Sequence, residues 1–231
     1  MQKRILLVED DTTLGFIVEE HLVLAGYQVC WCQTGDMALS HFEAENFDLC
    51  IFDVMLPKID GFELLTTIRK QNTHVPILFL TAKALSQDKI KGLKLGADDY
   101  ITKPFSLEEL ILKVEIFLKR TRLPDTPLQM TAQYFILHSY RFEVDNLLLI
   151  HLPTQQRRSL TLREGNLLAL FCKNANQLLK REAILVAIWG EDDYFAGRSL
   201  DVFISRLRKY LSQESLIRLE NVPRVGFRLV V

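Results

Sequence analysis

Long apolar runs are missing from this chain, and nothing in it approaches the roughly 20 apolar residues that cross a bilayer. The opening Met1-Gln2-Lys3-Arg4 leads into a five-residue strand-like run and then into acids, without the longer apolar core and small-residue cleavage site of a secretory signal. The expectation is a cytoplasmic protein without a membrane partner. Cysteine is scarce, with four in 231 residues. Cys30 and Cys32 flank Trp31 at strand spacing and so share a face. A structural metal site usually separates its cysteines by two or more residues and adds a second pair. Neither feature is present, and the four thiols are expected to be reduced and packed as small hydrophobes. Charge of one sign is lacking too, the net being −1, but that balance hides an asymmetry. Residues 1–121 hold 13 Lys and Arg against 18 Asp and Glu, a net of −5, whereas residues 122–231 hold 15 against 11, a net of +4. An acidic half followed by a basic half suggests two domains with different partners, the basic one suited to a polyanion.

What the first half does contain is alternation. Short apolar runs at Lys3–Val8, Tyr27–Cys32, Leu49–Phe52, Val75–Leu80 and Tyr100–Ile101 alternate with helical periodicities over 12–25, 35–45, 62–70, 87–95 and a stretch capped by Ser106. Five strands and five helices in this order predict a doubly wound parallel sheet of the α/β class. Functional crevices in such sheets lie beyond the carboxyl ends of the strands. The residues there are Glu9, Asp10, Asp53, Thr81 and Lys103.

Clustered carboxylates repel one another, and a hard divalent cation relieves the repulsion. Mg²⁺ takes about six oxygens and keeps several as water. Asp10 and Asp53 can ligate it directly, the backbone carbonyl of Met55 can add another oxygen, and Glu9 can act directly or through water. A carboxylate is also a competent nucleophile toward phosphorus, with catalysis resting on charge neutralisation and alignment. Asp53 is central and is the nucleophile candidate. Lys103 would stabilise phosphoryl oxygens, and the Thr81 hydroxyl could bond one of them. Taken singly, Glu9-Asp10 could cap a helix, Lys103 could be a surface lysine, Thr81 a helix cap and Tyr100 core packing. Their ordered occurrence at successive strand ends argues for chemistry.

Those five positions resemble the signature of response-regulator receiver domains. Phe52-Asp53-Val54-Met55-Leu56-Pro57 with Asp60-Gly61 is similar to that family's phosphorylation loop, and Gly96 to Phe105 to its fifth-strand signature. The resemblance covers residues 3–121. It implies that Asp53 accepts phosphate from a sensor histidine kinase and that Thr81 and Tyr100 form a switch pair. It further implies a homodimer face on the fourth helix, fifth strand and last helix. The charges expected on that face are Lys89, Lys91, Asp98, Asp99, Glu109, Lys113 and Arg120, with Lys94 departing from the usual acid.

The turn-rich stretch around Pro124-Asp125-Thr126-Pro127 reads as a linker. Strand-like pieces follow at 134–138, 141–144, 147–151 and 159–160. Helices are expected from Leu162, over 181–189 and over 199–211, with a closing hairpin at 217–221 and 226–230 around Arg224-Val225. The third helix interleaves Leu200, Val202, Phe203, Ile204 and Leu207 with Arg206, Arg208 and Lys209. Its cations are either a solvated face or the basic edge of a major-groove reader with an adjacent wing.

Leu160-Thr161 with Glu164, Arg181-Glu182, Trp189-Gly190 and the run Arg198 to Lys209 resemble the winged-helix effector of OmpR/PhoB-type regulators. The limits expected on this resemblance are a receiver over 1–121, a linker over 122–132 and an α+β winged-helix domain over 133–231. It implies DNA contacts from Arg198, Ser199, Asp201, Phe203, Ser205, Arg206, Arg208, Lys209 and the wing residue Arg224, with Asp201 and Arg206 facing bases. Promoter DNA and RNA polymerase are the implied partners. Two departures stand out. The wing arginine is displaced by one residue behind Pro223, and Phe203 and Ser205 occupy positions that are often polar or basic.

Three rival readings have their own marks. A phosphohydrolase with an aspartyl nucleophile would carry a second acid two residues after it, where this chain has Met55. A phosphorylation-independent regulator would lack an acid or the lysine, and all are present. An adaptor that has lost DNA binding would show an altered wing.

Overall fold

The computed structural model describes residues 2–82, 86–120, 134–190 and 194–231, with backbone alone at 86–90, 119–120, 194–196 and 198. The expected linker, 122–132, lies outside the described residues. Contacts divide the chain into two compact units, residues 1–127 and 128–231.

The first unit runs β1 (Arg4–Val8), α1 (Thr12–Leu24), β2 (Gln28–Cys32), α2 (Gly35–Ala44), β3 (Leu49–Asp53), α3 (Gly61–Gln71), β4 (Ile77–Thr81), α4 (Ser86–Leu95), β5 (Asp99–Thr102) and α5 (Leu107–Arg120). The strands form one parallel sheet in the order β2-β1-β3-β4-β5. Every residue of β3 and β4 is buried, as continuous apolar strands must be when helices cover both faces. Edge strand β2 is buried only at Cys32. Helix starts follow the side-chain chemistry. The Asp11 carboxylate accepts from the backbone N–H groups of Thr13 and Leu14, and that of Asp60 from Glu63. The Ser106 hydroxyl accepts from the Glu109 N–H at 3.0 Å.

The second unit continues with β6 (Tyr134–Leu137), β7 (Tyr140–Glu143), β8 (Leu148–His151), β9 (Gln156–Ser159), α6 (Leu162–Lys173), β10 (Leu178–Lys180), α7 (Arg181–Trp189), α8 (Tyr194–Tyr210), β11 (Arg218–Val222) and β12 (Gly226–Val230). Strands β6 to β9 form an antiparallel meander, and β10-β12-β11 a second small sheet. Thr161 and Glu164 start α6 with a reciprocal capping box. Gly190, at φ 86°, ends α7 in the left-handed region.

Sequence reading placed the fourth strand piece at 159–160, whereas β9 covers Gln156–Ser159, and it did not identify β10. The segment Gln156-Arg157-Arg158-Ser159 is exposed throughout and is a strand because it completes the ladder of β8. Likewise β10 exists through pairing with β12. Helix α8 starts five residues before the expected Ser199.

Candidate functional site

The carboxyl ends of β1, β3, β4 and β5 converge on one rim. Glu9 follows β1, and its backbone N–H is fixed by the Cys32 carbonyl at 3.1 Å while its carbonyl accepts from Trp31 Nε1 at 2.9 Å. Asp53 ends β3, and its Oδ1 accepts from the Met55 N–H at 2.9 Å. Lys103 enters from beyond β5, its N–H bonded to the Thr81 carbonyl at 2.8 Å and its bond to Pro104 cis. Its ammonium donates to Asp53 Oδ2 at 2.5 Å and to both Glu9 oxygens at 2.7 and 2.8 Å. Carboxylate oxygens of Glu9, Asp10 and Asp53 lie within 4.8 Å of one another. Glu9 and Asp53 are buried, and Asp10 is exposed at the mouth.

The electrostatics are unbalanced. Burial, with Asp53 adding to it against the opposing pull of Lys103, pushes the Glu9 carboxyl up to about 7. Burial works against the charge on Lys103, but its hydrogen bonds to Asp53 and Glu9 prevail and hold its pKa above the ordinary value. One amine faces three acids. The all-oxygen donor set, opening at Asp10, suits a hard divalent cation better than a soft one. Gly61 lets α3 close on this loop, because a Cβ there would come within 3.0 Å of Val54 Cα.

Thr81 is buried at the same rim. The Tyr100 ring is stacked on Phe79, centroids 5.4 Å apart and planes 22° from parallel, and its hydroxyl is buried. Gly92 makes the space, since a Cβ there would sit 3.0 Å from Tyr100 Cζ.

The expected dimer-face charges divide. Lys91 and Glu109 are exposed, as is Lys94. Asp99 and Lys113 are mostly buried and pair with each other at 3.3 Å. Asp98 requires a correction. Its side chain is 0% exposed, receives Arg69 Nη2 at 2.8 Å and accepts from the Ile77 N–H at 3.0 Å. Arg69 also donates to the carbonyls of Gly96 and Val75. Asp98 is thus a buried brace between α3 and the sheet, because the aspartate immediately before β5 turns inward while its neighbour starts the strand. The side chains of Lys89 and Arg120 lie outside the described residues.

In the second unit, α8 carries a buried row, Leu200, Phe203, Ile204 and Leu207, continued by Leu211 just past its end, and an exposed stripe, Asp201, Ser205 and Arg208, at helical spacing, with Lys209 exposed beside it. Phe203 is corrected from a DNA contact to a core residue, at 0% exposure and 5.7 Å from the Trp189 ring. Ser199 is buried as well. Arg206 does not stand free for a base, since its Nη1 lies 2.6 Å from Glu164 Oε1 with 16% of its side chain exposed. Glu164 is itself buried, accepting also from the Tyr210 hydroxyl at 3.0 Å and the Thr161 N–H at 2.9 Å. Burial, with the Glu164 charge adding to it, pushes the Tyr210 phenol up to about 12. Asp201 is exposed but paired with Arg181 at 2.8 and 3.0 Å. Arg208 donates through Nε to the Leu219 carbonyl at 2.8 Å. Arg224 is exposed in the turn between β11 and β12, at φ 62°. The side chain of Arg198 lies outside the described residues.

Sequence reasoning missed the roles of Arg69, Glu164 and Arg181. Glu164 carried a visible signal in the capping-box spacing from Thr161. Their long-range partners, which join separate elements, lie 16 to 46 residues away in the chain and leave no periodic trace.

Comparison with known proteins agrees with this architecture. Residues 5–115 match the response regulator receiver domain, and residues 155–229 match the C-terminal domain of transcriptional regulatory proteins. The chain is 40% identical to the transcriptional regulatory protein RprY of Bacteroides fragilis, over 98% of this chain and 94% of that protein. It is 35% identical to the alkaline phosphatase synthesis transcriptional regulatory protein PhoP of Bacillus subtilis, over 99% of this chain and 97% of the other. Among solved structures, the response regulator DrrB, an OmpR/PhoB homologue of Thermotoga maritima, aligns over 100% of both chains with a TM-score of 0.54 at 26% identity. Among the described residues no helix is long and apolar enough to cross a membrane.

Proposed function

The chain belongs to the two-component response regulators of the OmpR/PhoB type, transcriptional regulators rather than conventional enzymes, and on that premise we propose that Asp53 is the residue through which it is switched. One oxygen of Asp53 attacks the phosphorus of a phosphohistidine on a sensor kinase. The P–N bond breaks, the imidazole leaves, and an aspartyl phosphate forms. The observation that carries the reading is the convergence of Glu9, Asp10, Asp53 and Lys103, with the ammonium 2.5 Å from Asp53. Lys103 neutralises the incoming phosphoryl oxygens, and the Thr81 hydroxyl bonds one of them once the phosphate is present. Glu9, Asp10, Asp53 and the Met55 carbonyl are the groups that would hold Mg²⁺, which supplies charge neutralisation to the transferring group.

Phosphorylation draws Thr81 toward the phosphate and rebalances the position of Tyr100, shifting an existing equilibrium of the receiver. The receiver spans 1–121, the linker 122–132 and the DNA-binding domain 133–231. Receivers then pair through α4, β5 and α5, using Lys91, Asp99, Glu109 and Lys113 among the charges there. Pairing raises the effective concentration of two effector domains on promoter DNA in the cytoplasm. RNA polymerase is the further partner at the promoter. The exposed stripe Asp201, Ser205 and Arg208, with Lys209, faces the major groove, and Arg224 marks the wing.

The test is a DNA-selection titration at fixed salt with protein treated with a small phosphodonor and Mg²⁺, beside Asp53→Asn. Intact-mass analysis should find one phosphoryl group on the wild type and none on the variant, and selected half-sites should bind more tightly only in the wild type. Equal phosphorylation of the two proteins refutes the assignment of Asp53. Equal DNA affinity with and without the phosphodonor refutes the switch.

A further inference from the structure

Besides the acidic rim, the described residues hold a second group of metal-ligating side chains, Cys30, Cys32 and His41, whose sulfur and ring-nitrogen atoms lie within 4.8 Å of one another. Period-two geometry sets Cys30 and Cys32 on one face of β2, which among the described residues is paired only with β1, and His41 reaches them from α2. Both thiols are free, Cys32 buried and Cys30 half-buried. Glu45 lies 3.6 Å from His41 Nδ1, and its other oxygen engages Arg4.

We propose that Cys30, Cys32 and His41 bind Zn²⁺ and thereby tie edge strand β2 to α2. Thiolate and imidazole donors suit a borderline-soft d¹⁰ ion and not the hard ion that oxygen donors prefer. Charge decides between candidate ions. Two thiolates and a neutral imidazole cancel Zn²⁺, whereas Cu⁺ would leave a net negative cluster. That matters because Cys32 is 0% exposed and an uncompensated charge there is costly. His41 is half-exposed, so water can take the fourth position. Glu45 stands where a carboxylate orients a ligating histidine, with Arg4 balancing its charge.

Ligand atoms around Zn²⁺ with bonds of ~2.3 Å lie ~3.8 Å apart, so small side-chain rotations close the cluster. Burial pushes the Cys32 thiol up to about 12 and raises that of Cys30, and both hold their protons when no metal is bound. On metal entry two S–H bonds break, two S–Zn bonds form and two protons leave to solvent. The spacing of one residue between the cysteines argued for plain packing only while His41 was out of view.

The experiment uses the full-length protein, reduced and stripped with chelator, titrated with Co²⁺ as the spectroscopic probe and then with Zn²⁺. Wild type should take up Co²⁺ with a sulfur-to-cobalt charge-transfer band in the near ultraviolet, and Zn²⁺ should displace it. The band should vanish in Cys30→Ser, and affinity should fall about tenfold or more in His41→Gln. Asp53→Asn, which alters the acidic rim alone, should leave the band unchanged. His41→Gln keeps the test valid if Cys30→Ser fails to fold, because the ring is half-exposed and outside the core. Absence of a thiolate band in wild type, or a band of equal strength in His41→Gln, overturns the proposal. Loss of Co²⁺ binding in Asp53→Asn alone would assign the ion to the acidic rim and overturn it as well.

Discussion

Replacing Glu164 by leucine tests the most consequential arrangement in the DNA-binding unit, a buried carboxylate that holds Arg206, Tyr210 and the start of α6 together. The carboxylate is buried and Arg206 only 16% exposed. Removing one partner of such a pair strands a charge in low dielectric and costs ~3–5 kcal/mol. The low end applies, because the guanidinium reaches the surface in part and can recover some hydration. The expected loss is therefore about 3 kcal/mol, or ~15 °C in Tm for a unit of this size at ~5 °C per kcal/mol. Arg206→Met leaves Glu164 with two hydrogen-bond donors and should cost about 2 kcal/mol. If the two residues stabilise each other, the double variant costs no more than about 3 kcal/mol, a coupling of about 2 kcal/mol.

The assay is chemical unfolding of the full chain in a Trp31→Phe background. That leaves Trp189 as the sole tryptophan and its fluorescence as the reporter of the second unit. Additive single costs, with coupling below about 0.5 kcal/mol, would refute the idea that Arg206 is held by Glu164 and return it to the set of base-facing residues.

Four further outcomes are expected. Arg208→Ala should lower the salt slope of DNA binding by about 1 and weaken all sequences alike, as loss of one phosphate contact does, and a titration at several salt concentrations checks it. Arg69→Met should destabilise the receiver by about 3 kcal/mol by leaving Asp98 buried without its cation, read by Trp31 fluorescence in a Trp189→Phe background; a loss under about 1 kcal/mol would contradict the brace. Mg²⁺ at ten times its Kd should add about 1.4 kcal/mol to receiver stability in the same assay, and Asp10→Asn should abolish the gain. Thiol labelling of metal-free native protein near neutral pH should mark Cys30 first. Cys50 and Cys172 should react only on unfolding, since both are buried and burial raises their thiol pKa values, that of Cys172 to about 12.

The sequence by itself determined the alternation that becomes the parallel sheet, and with it the strand ends where Glu9, Asp53, Thr81 and Lys103 meet. That information is local. Apolar runs of strand length, a cap such as Asp11 and the residue closing each run are read within a few positions, and the topology then carries them to one rim. The capping box of Thr161 and Glu164 and the apolar row of α8 were legible for the same reason. Only the tertiary structure decided which polar residues face water. Asp98 and Asp99 are adjacent acids in the chain, yet one braces Arg69 in the interior and the other pairs with Lys113. Arg206 and Arg208 are both cations of one helix, yet a buried glutamate 42 residues earlier takes only the first. Strands β9 and β10 exist because a partner strand needs a ladder, a requirement that their own side chains do not record. The approach of His41 to Cys30 and Cys32 is of the same kind. A strand period sets the two thiols on one face, but only the packing of α2 on β2 brings the imidazole to them.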